Sequence, residues 1–207
     1  MVKWNAFNRC KTRLSKDIGK IKSSNIQQKM TDHTILVAKS LREKGLLDIS
    51  LAISGIGENK SRRWSNNLGI KTFNLQGKGC LGEKMKRQIL FHKRNHIHKK
   101  IKNIIIIGTD LPDLCHIDIE NAIQKLKKND FILGPSNDGG YWLIAFSEKL
   151  LSTNLYLPFI DIKWSTDNVL QKTIKNLSSK NKFRYDFLVK KTDIDTIADI
   201  EKRELLI

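Results

Sequence analysis

Ile104-Ile105-Ile106-Ile107-Gly108-Thr109-Asp110-Leu111-Pro112-Asp113-Leu114 is a short apolar run that ends abruptly in a carboxylate. Four consecutive Ile predict a strand buried on both faces of a sheet, the usual condition of a parallel strand. The Gly-Thr-Asp-Leu-Pro that follows breaks the strand at the carboxyl edge, where open α/β sheets bind their ligands. Asp110 is therefore the first candidate functional residue, although an Asp in such a place also caps helices and punctuates loops.

Three further stretches share this character. Lys11-Thr12-Arg13-Leu14 lies upstream, and Gly134-Pro135-Ser136-Asn137-Asp138-Gly139-Gly140-Tyr141 and Thr192-Asp193-Ile194-Asp195-Thr196 lie downstream. Three acidic loops and one basic loop, each beside a predicted strand or helix end, compose a metal-plus-phosphate constellation. Lys11 and Arg13 are either ordinary surface charge or, as alternating basic residues before a capped helix, a diphosphate clamp. Asp138-Gly139-Gly140 reads as a tight turn that uses the positive φ open to glycine, or as a place where a ligand approaches the backbone closely. Asp193 and Asp195 precede the last predicted helix. One carboxylate suffices to cap it, which leaves the other for a divalent ion across the sheet from Asp110.

Working outward, Ile26, Met30, Val37 and Leu41 recur at helical spacing with Gly45 closing the segment, and Ile49, Leu51 and Ile53 then alternate as a strand. A short polar helix near 62–67, a strand at 71–75, a glycine loop and a long basic helix from about 83 to 100 lead to the Ile strand. Beyond it come a helix marked by Ala122, Ile123 and Leu126, strands at 131–133 and 141–146, and a helix with Val169, Leu170, Thr173, Ile174 and Leu177 after Trp164-Ser165-Thr166. An alternating strand Phe183, Tyr185, Phe187, Val189 and a last helix from about Ile197 complete the pattern. The alternation predicts an α/β three-layer fold with a mostly parallel mixed sheet, as one domain over 1–207.

Composition agrees: 207 residues, 40% hydrophobic and 29% charged, suit one soluble globular domain with a sizeable core. No apolar run approaches the ~20 residues that cross a bilayer, and the N-terminus lacks a secretory pattern, so a cytoplasmic location is the default expectation. The net charge of +17, from 38 Lys+Arg against 21 Asp+Glu, suits nucleic acid, a membrane surface or an anionic small molecule. The basic residues are spread along the chain, apart from the cluster His92-Lys93-Arg94-Asn95-His96-Ile97-His98-Lys99-Lys100, and no aromatics interleave with them to stack bases. Nucleic acid is thereby set aside, and the charge reads as compositional drift that incidentally suits a phosphorylated substrate. Cys10, Cys80 and Cys115 form no Cys-x-x-Cys pair, so neither a disulfide framework nor a zinc knuckle is expected.

Gly77-Lys78-Gly79-Cys80-Leu81-Gly82 matches G-x-G-x-x-G between a predicted strand and helix. The acidic ribose ligand expected about 20 residues on is missing, and the motif is mid-chain where the dinucleotide fingerprint opens its fold. A flexible loop that contacts nucleotide or substrate is the preferred reading. His92 and His96 have metal-ligand spacing on a helix but no evident third ligand, so a solvated basic face is the better account. No nucleophile elbow is recognisable.

Together Lys11-Thr12-Arg13-Leu14, Leu81-Gly82-Glu83-Lys84-Met85, Ile107-Gly108-Thr109-Asp110-Leu111-Pro112, Gly134-Pro135 with Asp138-Gly139-Gly140-Tyr141, Trp164-Ser165-Thr166 and Asp193-Ile194-Asp195-Thr196 resemble, in that order, the arsenosugar-biosynthesis glycosyltransferase-like family. That radical-SAM-associated family is similar to the molybdenum-cofactor and phospholactate guanylyltransferases and shares the nucleotide-diphospho-sugar transferase (GT-A) fold. The resemblance implies a Mg²⁺ or Mn²⁺ site at Asp110 shared with Asp195, and phosphate contacts from Lys11 and Arg13. It also implies that Gly77, Gly79, Gly82 and Glu83 line the nucleotide or acceptor pocket beside Gly139 and Gly140, with Asp138 facing the acceptor as general base.

The chain departs from the family at its start. Only Met1-Val2-Lys3-Trp4 stands where a full apolar strand is usual, and Asn8 takes the place of a glycine in the turn, so the first strand is expected to be truncated and the reading frame incomplete. The expected activity is metal-dependent transfer of a sugar from a nucleotide-sugar to a small acceptor, in arsenosugar biosynthesis. The alternatives are a guanylyltransferase-like nucleotidyltransferase that releases pyrophosphate and a non-catalytic nucleotide-binding module.

Overall fold

A computed structural model of the chain describes residues 1–6, 10–95, 103–153, 157–181 and 183–201. Its elements are β1 (Val2–Lys3), α1 (Leu14–Ile18), α2 (Lys20–Glu43), β2 (Ser50–Ser54), α3 (Glu58–Asn67), β3 (Thr72–Leu75), α4 (Leu81–Asn95), β4 (Asn103–Ile107) and α5 (His116–Lys125). Then follow β5 (Phe131–Pro135), β6 (Tyr141–Ser147), α6 (Glu148–Thr153), a 3-10 turn (Leu157–Phe159), α7 (Val169–Asn181), β7 (Tyr185–Phe187) and α8 (Ile197–Glu201). The alternation read from periodicity is present. The short α1, α6 and the 3-10 turn are additions to it. The residues 96–100 expected to extend α4, His96 among them, and Asn8 lie outside the described residues.

Two compact units divide the chain: Met1–Leu75 with Gly108–His116 and Thr192–Ile207, and Gln76–Ile107 with Ile117–Lys191. In the first, β1, β2 and β3 form a parallel sheet with β2 in the middle, Val2 opposite Ile53 and Leu51 opposite Phe73. Val2, Leu51 and Ile53 pack with Ile35 of α2 and with Ile70 in one buried cluster. A second cluster joins Ile26 and Met30 of α2 to Leu14, Ile194 and Ile200. The half-buried Val37 yields its expected core place to Ile35, which is only 5% exposed. Gly45 closes α2 as expected: at φ +69° it lets Leu46 donate back to the Leu41 carbonyl, at 3.1 Å.

In the second unit the strand order is β4-β6-β5-β7, with β6 antiparallel to both neighbours and β7 parallel to β5. A parallel and a mixed sheet are thus the observed form of the expected α/β fold. The Ile run is less buried than its composition suggests. Of the four only Ile106 is in the buried class, because β4 sits at the end of its sheet, with β6 as its partner there. The strands covered on both faces are β5, whose Phe131, Ile132 and Leu133 are 0% exposed, and β6, whose Trp142, Leu143, Ile144, Ala145 and Phe146 are all at most 5% exposed. Phe146 lies opposite Phe131 across the ladder with ring centroids 5.4 Å apart, and Phe159 and Trp164 extend the aromatic line in steps of 6.1 and 6.4 Å.

β7 reverses the expected facing. Tyr185, Phe187 and Val189 are exposed while Leu188 is buried, because Asp186 turns toward α5 and pairs with Lys125 Nζ at 2.7 Å. That hydrogen bond, with one from the Phe187 N–H, holds the Asp186 carboxyl below the usual carboxylate range. Among the described residues no helix is long and apolar enough to cross a membrane. Phe146→Ala removes a fully buried ring from the middle of the mixed sheet, and equilibrium urea unfolding should show a loss of about 3–5 kcal/mol.

Candidate functional site

The first unit gathers Lys11, Arg13, Asp110 and Asp195. Lys11 Nζ lies 2.9 Å from Asp110 Oδ1 and 3.3 Å from Asp195 Oδ1, while Arg13 Nη1 reaches Asp195 Oδ2 at 3.4 Å. The Lys11 side chain is 3% exposed, against 44% and 45% for the two carboxylates, so the ammonium is the inner member of the group. Each side chain is aimed by a buried neighbour. Leu14 at 0% follows Lys11 and Arg13, Leu111 at 1% follows Asp110, and Ile194 at 0% precedes Asp195. The Ile194 N–H donates to the Asp110 carbonyl at 3.1 Å, which ties the two acidic segments together directly.

Two expectations about these loops change. The helix after Lys11 is only five residues long, and Arg13 at its N-cap makes no side-chain cap, so the basic pair acts through its own charges. At the last helix the start is satisfied from within, which leaves Asp195 unneeded as its cap. Asp199 reaches back to accept from the N–H groups of Asp195 and Thr196, at 3.0 and 2.8 Å, and from the Thr196 hydroxyl. Asp195 is thereby released to face Lys11 and Arg13. The signal was in the sequence as Thr196-x-x-Asp199, a capping-box spacing.

Sequence reading passed over a cavity in the same unit. It measures about 520 Å³ and is lined by Trp4, Ala6, Ile56 and Asn59 among others, just past the carboxyl ends of β1 and β2. Gly55 at φ +92° turns the chain there, and a Cβ on it would lie 3.5 Å from Trp4 Cβ. Trp4 in turn stands edge-on to Trp64, with centroids 4.9 Å apart. Gly55-Ile56-Gly57 directly after the β2 run was the available sign.

The second unit holds the remaining candidates, each engaged with its own chain. Arg87 donates to the carbonyls of Gln76 and Lys78, and Glu83 Oε2 accepts the Cys80 N–H at 2.8 Å. The glycine loop is therefore stapled from α4, contrary to the expected flexible loop. Gly77 at φ +71° leaves room for the Arg87 guanidinium, Gly79 at φ +109° for the Glu83 carboxylate, and Gly82 for the Trp164 ring. Gly139 shows the same replacement most clearly. What approaches its backbone is the Asp167 main chain, and its carbonyl accepts the Leu170 N–H at 2.9 Å at the start of α7. Asp138 sits exposed on the turn, with Oδ1 accepting the Ser136 hydroxyl and the Gly140 N–H. Burial, opposed only in part by the Thr173 hydroxyl, pushes the neighbouring Tyr141 phenol above its ordinary range, so it stays protonated at neutral pH.

Among the described residues no cluster of three or more His, Cys, Asp or Glu side chains is suited to a metal ion. The two-carboxylate pair of Asp110 and Asp195 is the convergent acidic set, and Lys11 already shows an oxygen of each turned to one cation.

A family model, "Uncharacterized protein conserved in bacteria" (DUF2064), matches residues 37–166. No curated protein matches the sequence. Among solved structures, a candidate nucleotide-diphospho-sugar transferase from Desulfovibrio desulfuricans G20 is similar at a TM-score of 0.78 and 23% identity, over 98% of this chain and 84% of that one. The 4-diphosphocytidyl-2C-methyl-D-erythritol synthase from Anaerococcus prevotii DSM 20548 is similar at 0.53 and 13% identity, over 81% and 84% of the two chains. A candidate glucose-1-phosphate thymidylyltransferase from Bacillus anthracis, in complex with sucrose, gives 0.56 and 11% identity over 97% and 91%. The likeness establishes the nucleotide-diphospho-sugar transferase fold.

Gly139→Ala would drive its methyl into the Asp167 carbonyl at a positive φ, whereas a Cβ on Gly108 would meet only open space. Chemical denaturation should show a loss of about 2 kcal/mol or more for Gly139→Ala and a change within ~0.5 kcal/mol for Gly108→Ala.

Proposed function

The chain belongs to the DUF2064 family, and from that premise and the geometry of its first unit we propose that it is a transferase for nucleotide-activated donors, most simply a metal-dependent glycosyltransferase. The observation that carries the reading is the convergence of Asp110 and Asp195 on one cation position with Arg13 beside them. Mg²⁺ is commonly held by one or two carboxylates and completed by substrate phosphates. The donor set of hard, half-exposed carboxylate oxygens fits Mg²⁺ or Mn²⁺, with Asp110 and Asp195 as the protein ligands. When bound, such an ion would neutralise the charge that grows on a departing nucleoside diphosphate.

The chain's own residues supply the rest. Lys11 and Arg13 carry fixed positive charge to the same place, where charge-assisted hydrogen bonds to phosphate oxygens are strong. The cavity past β1 and β2 is a compartment for the base and ribose of the donor, with Trp4 as its aromatic wall. In the second unit Asp138 retains Oδ2 for the proton of an acceptor hydroxyl, the base role its motif implies. Transfer of a sugar to a small acceptor, in arsenosugar biosynthesis, is the finer reading, supported by the six ordered motifs. A cytoplasmic location goes with it.

A panel of nucleotide-sugars and nucleoside triphosphates, incubated with Mg²⁺ or Mn²⁺ and assayed for both products, tests the reading. Release of a nucleoside diphosphate from a nucleotide-sugar, lost in Lys11→Ala and Asp110→Asn, is expected. Pyrophosphate release from a triphosphate, lost in the same variants, would replace sugar transfer by nucleotidyl transfer; binding without either product would leave a nucleotide-binding module. Asp195→Asn should weaken metal-dependent nucleotide binding by about 1.5–3 kcal/mol in calorimetry, the scale of a charge-assisted contact. The melting temperature should fall only modestly, because Asp199 caps α8 and Asp110 still faces the Lys11 ammonium.

A further inference from the structure

We infer that the Lys11 ammonium is a built-in counter-cation standing in the place of the divalent ion, so that the protein takes up Mg²⁺ or Mn²⁺ only together with the phosphates of its nucleotide. The inference rests on the proposed metal role of Asp110 and Asp195 and goes beyond it, to the order in which the site fills.

Three observations carry it. First, one nitrogen contacts Oδ1 of both carboxylates, at 2.9 and 3.3 Å, and the Arg13 guanidinium takes the other Asp195 oxygen at 3.4 Å. A divalent ion ligated by the same two Oδ1 atoms at ~2.1 Å needs the volume that Nζ fills. Second, the ammonium is held there firmly. Its side chain is 3% exposed, and the Lys11 backbone is left-handed at φ +45°, a conformation that residues with a Cβ seldom adopt. The Lys11 carbonyl accepts the Ser15 N–H at 2.8 Å, and the next buried side chain is the fully enclosed Leu14, so the backbone aims the amine at the carboxylates. Strained backbone of this kind gathers at ligand-handling positions. Third, the formal charges of Lys11, Arg13, Asp110 and Asp195 cancel. A bare divalent ion therefore meets a neutral group with a cation already in place, whereas a nucleotide diphosphate brings the missing negative charge. Lys11 can then turn from carboxylate to phosphate as the ion takes the vacated oxygens. Mispairing with free metal is suppressed, and the two halves of the substrate complex enter together.

The test is a titration of the full chain with Mn²⁺ alone, followed by the electron paramagnetic resonance signal of the free ion. The parent is compared with Lys11→Gln, which keeps a polar group of similar reach, and with Lys11→Gly, which removes the amine and relieves the left-handed strain. Thermal unfolding identifies which variants are folded. Either folded variant should bind Mn²⁺ at least about tenfold more tightly than the parent, the scale expected for deleting one like charge beside the ion. Adding Asp195→Asn to Lys11→Gln should abolish that gain. A parent that binds Mn²⁺ alone as tightly as the Lys11 variants would overturn the counter-cation role and leave the metal site standing. Absence of Mn²⁺ binding in all of them, even with a nucleoside diphosphate added, would overturn both.

Discussion

An ammonium group cannot be taken out of water without anions to meet it, and Lys11 meets two. The burial of its side chain obliges the segments carrying Asp110 and Asp195 to come to it, and these lie far apart in the chain. Removing one partner of a fully buried pair costs about 3–5 kcal/mol; the penalty here is smaller because the carboxylates keep 44% and 45% of their exposure. What makes the arrangement specific is the apolar support beneath it. Leu14, Ile194 and Ile200 share a cluster with Ile26 and Met30 of the long second helix, so the basic and acidic loops stand on one patch of core. A change that loosened that patch would disperse the charges before it unfolded the sheet.

The second unit follows a different rule, in which glycine makes room for the chain itself. Gly77, Gly79, Gly82 and Gly139 look in the sequence like surfaces for a ligand to touch. In the fold their open sides are filled by the Arg87 guanidinium, the Glu83 carboxylate, the Trp164 ring and the Asp167 backbone. The loop after β3 and the turn before β6 are consequently stapled to the helices that follow. Preorganisation of this kind lowers the entropy lost when a loop must hold one shape around a substrate.

Which of the site was legible in the sequence depended on the range of the interaction. Asp110 was readable because the break from Ile107 to Pro112 is local, and Lys11 with Arg13 because alternating basic residues stand out. Their direct ion pairing was not, since a separation of 184 residues between Lys11 and Asp195 leaves no local trace. The division of labour between Asp195 and Asp199 was locally encoded as a Thr-x-x-Asp capping box, yet two closer carboxylates drew attention from it. The aromatic-walled cavity at Trp4 and Gly55 was missed because its two sides come from the ends of different strands.

The amino-acid sequence by itself determined the alternation of helices and strands, since hydrophobic periodicity and glycine closure are properties of neighbours along the chain. It also determined the short list of charged residues from which the site is built. Tertiary structure alone decided the layering and the pairing. Four Ile in a row specify a strand without saying that β6 and not β4 is covered on both faces. The alternation through Tyr185 and Phe187 does not say which face meets α5, because facing is set by what packs against a strand. The same holds for Lys11, whose backbone conformation and buried ammonium exist only once Asp110 and Asp195 have been brought beside it.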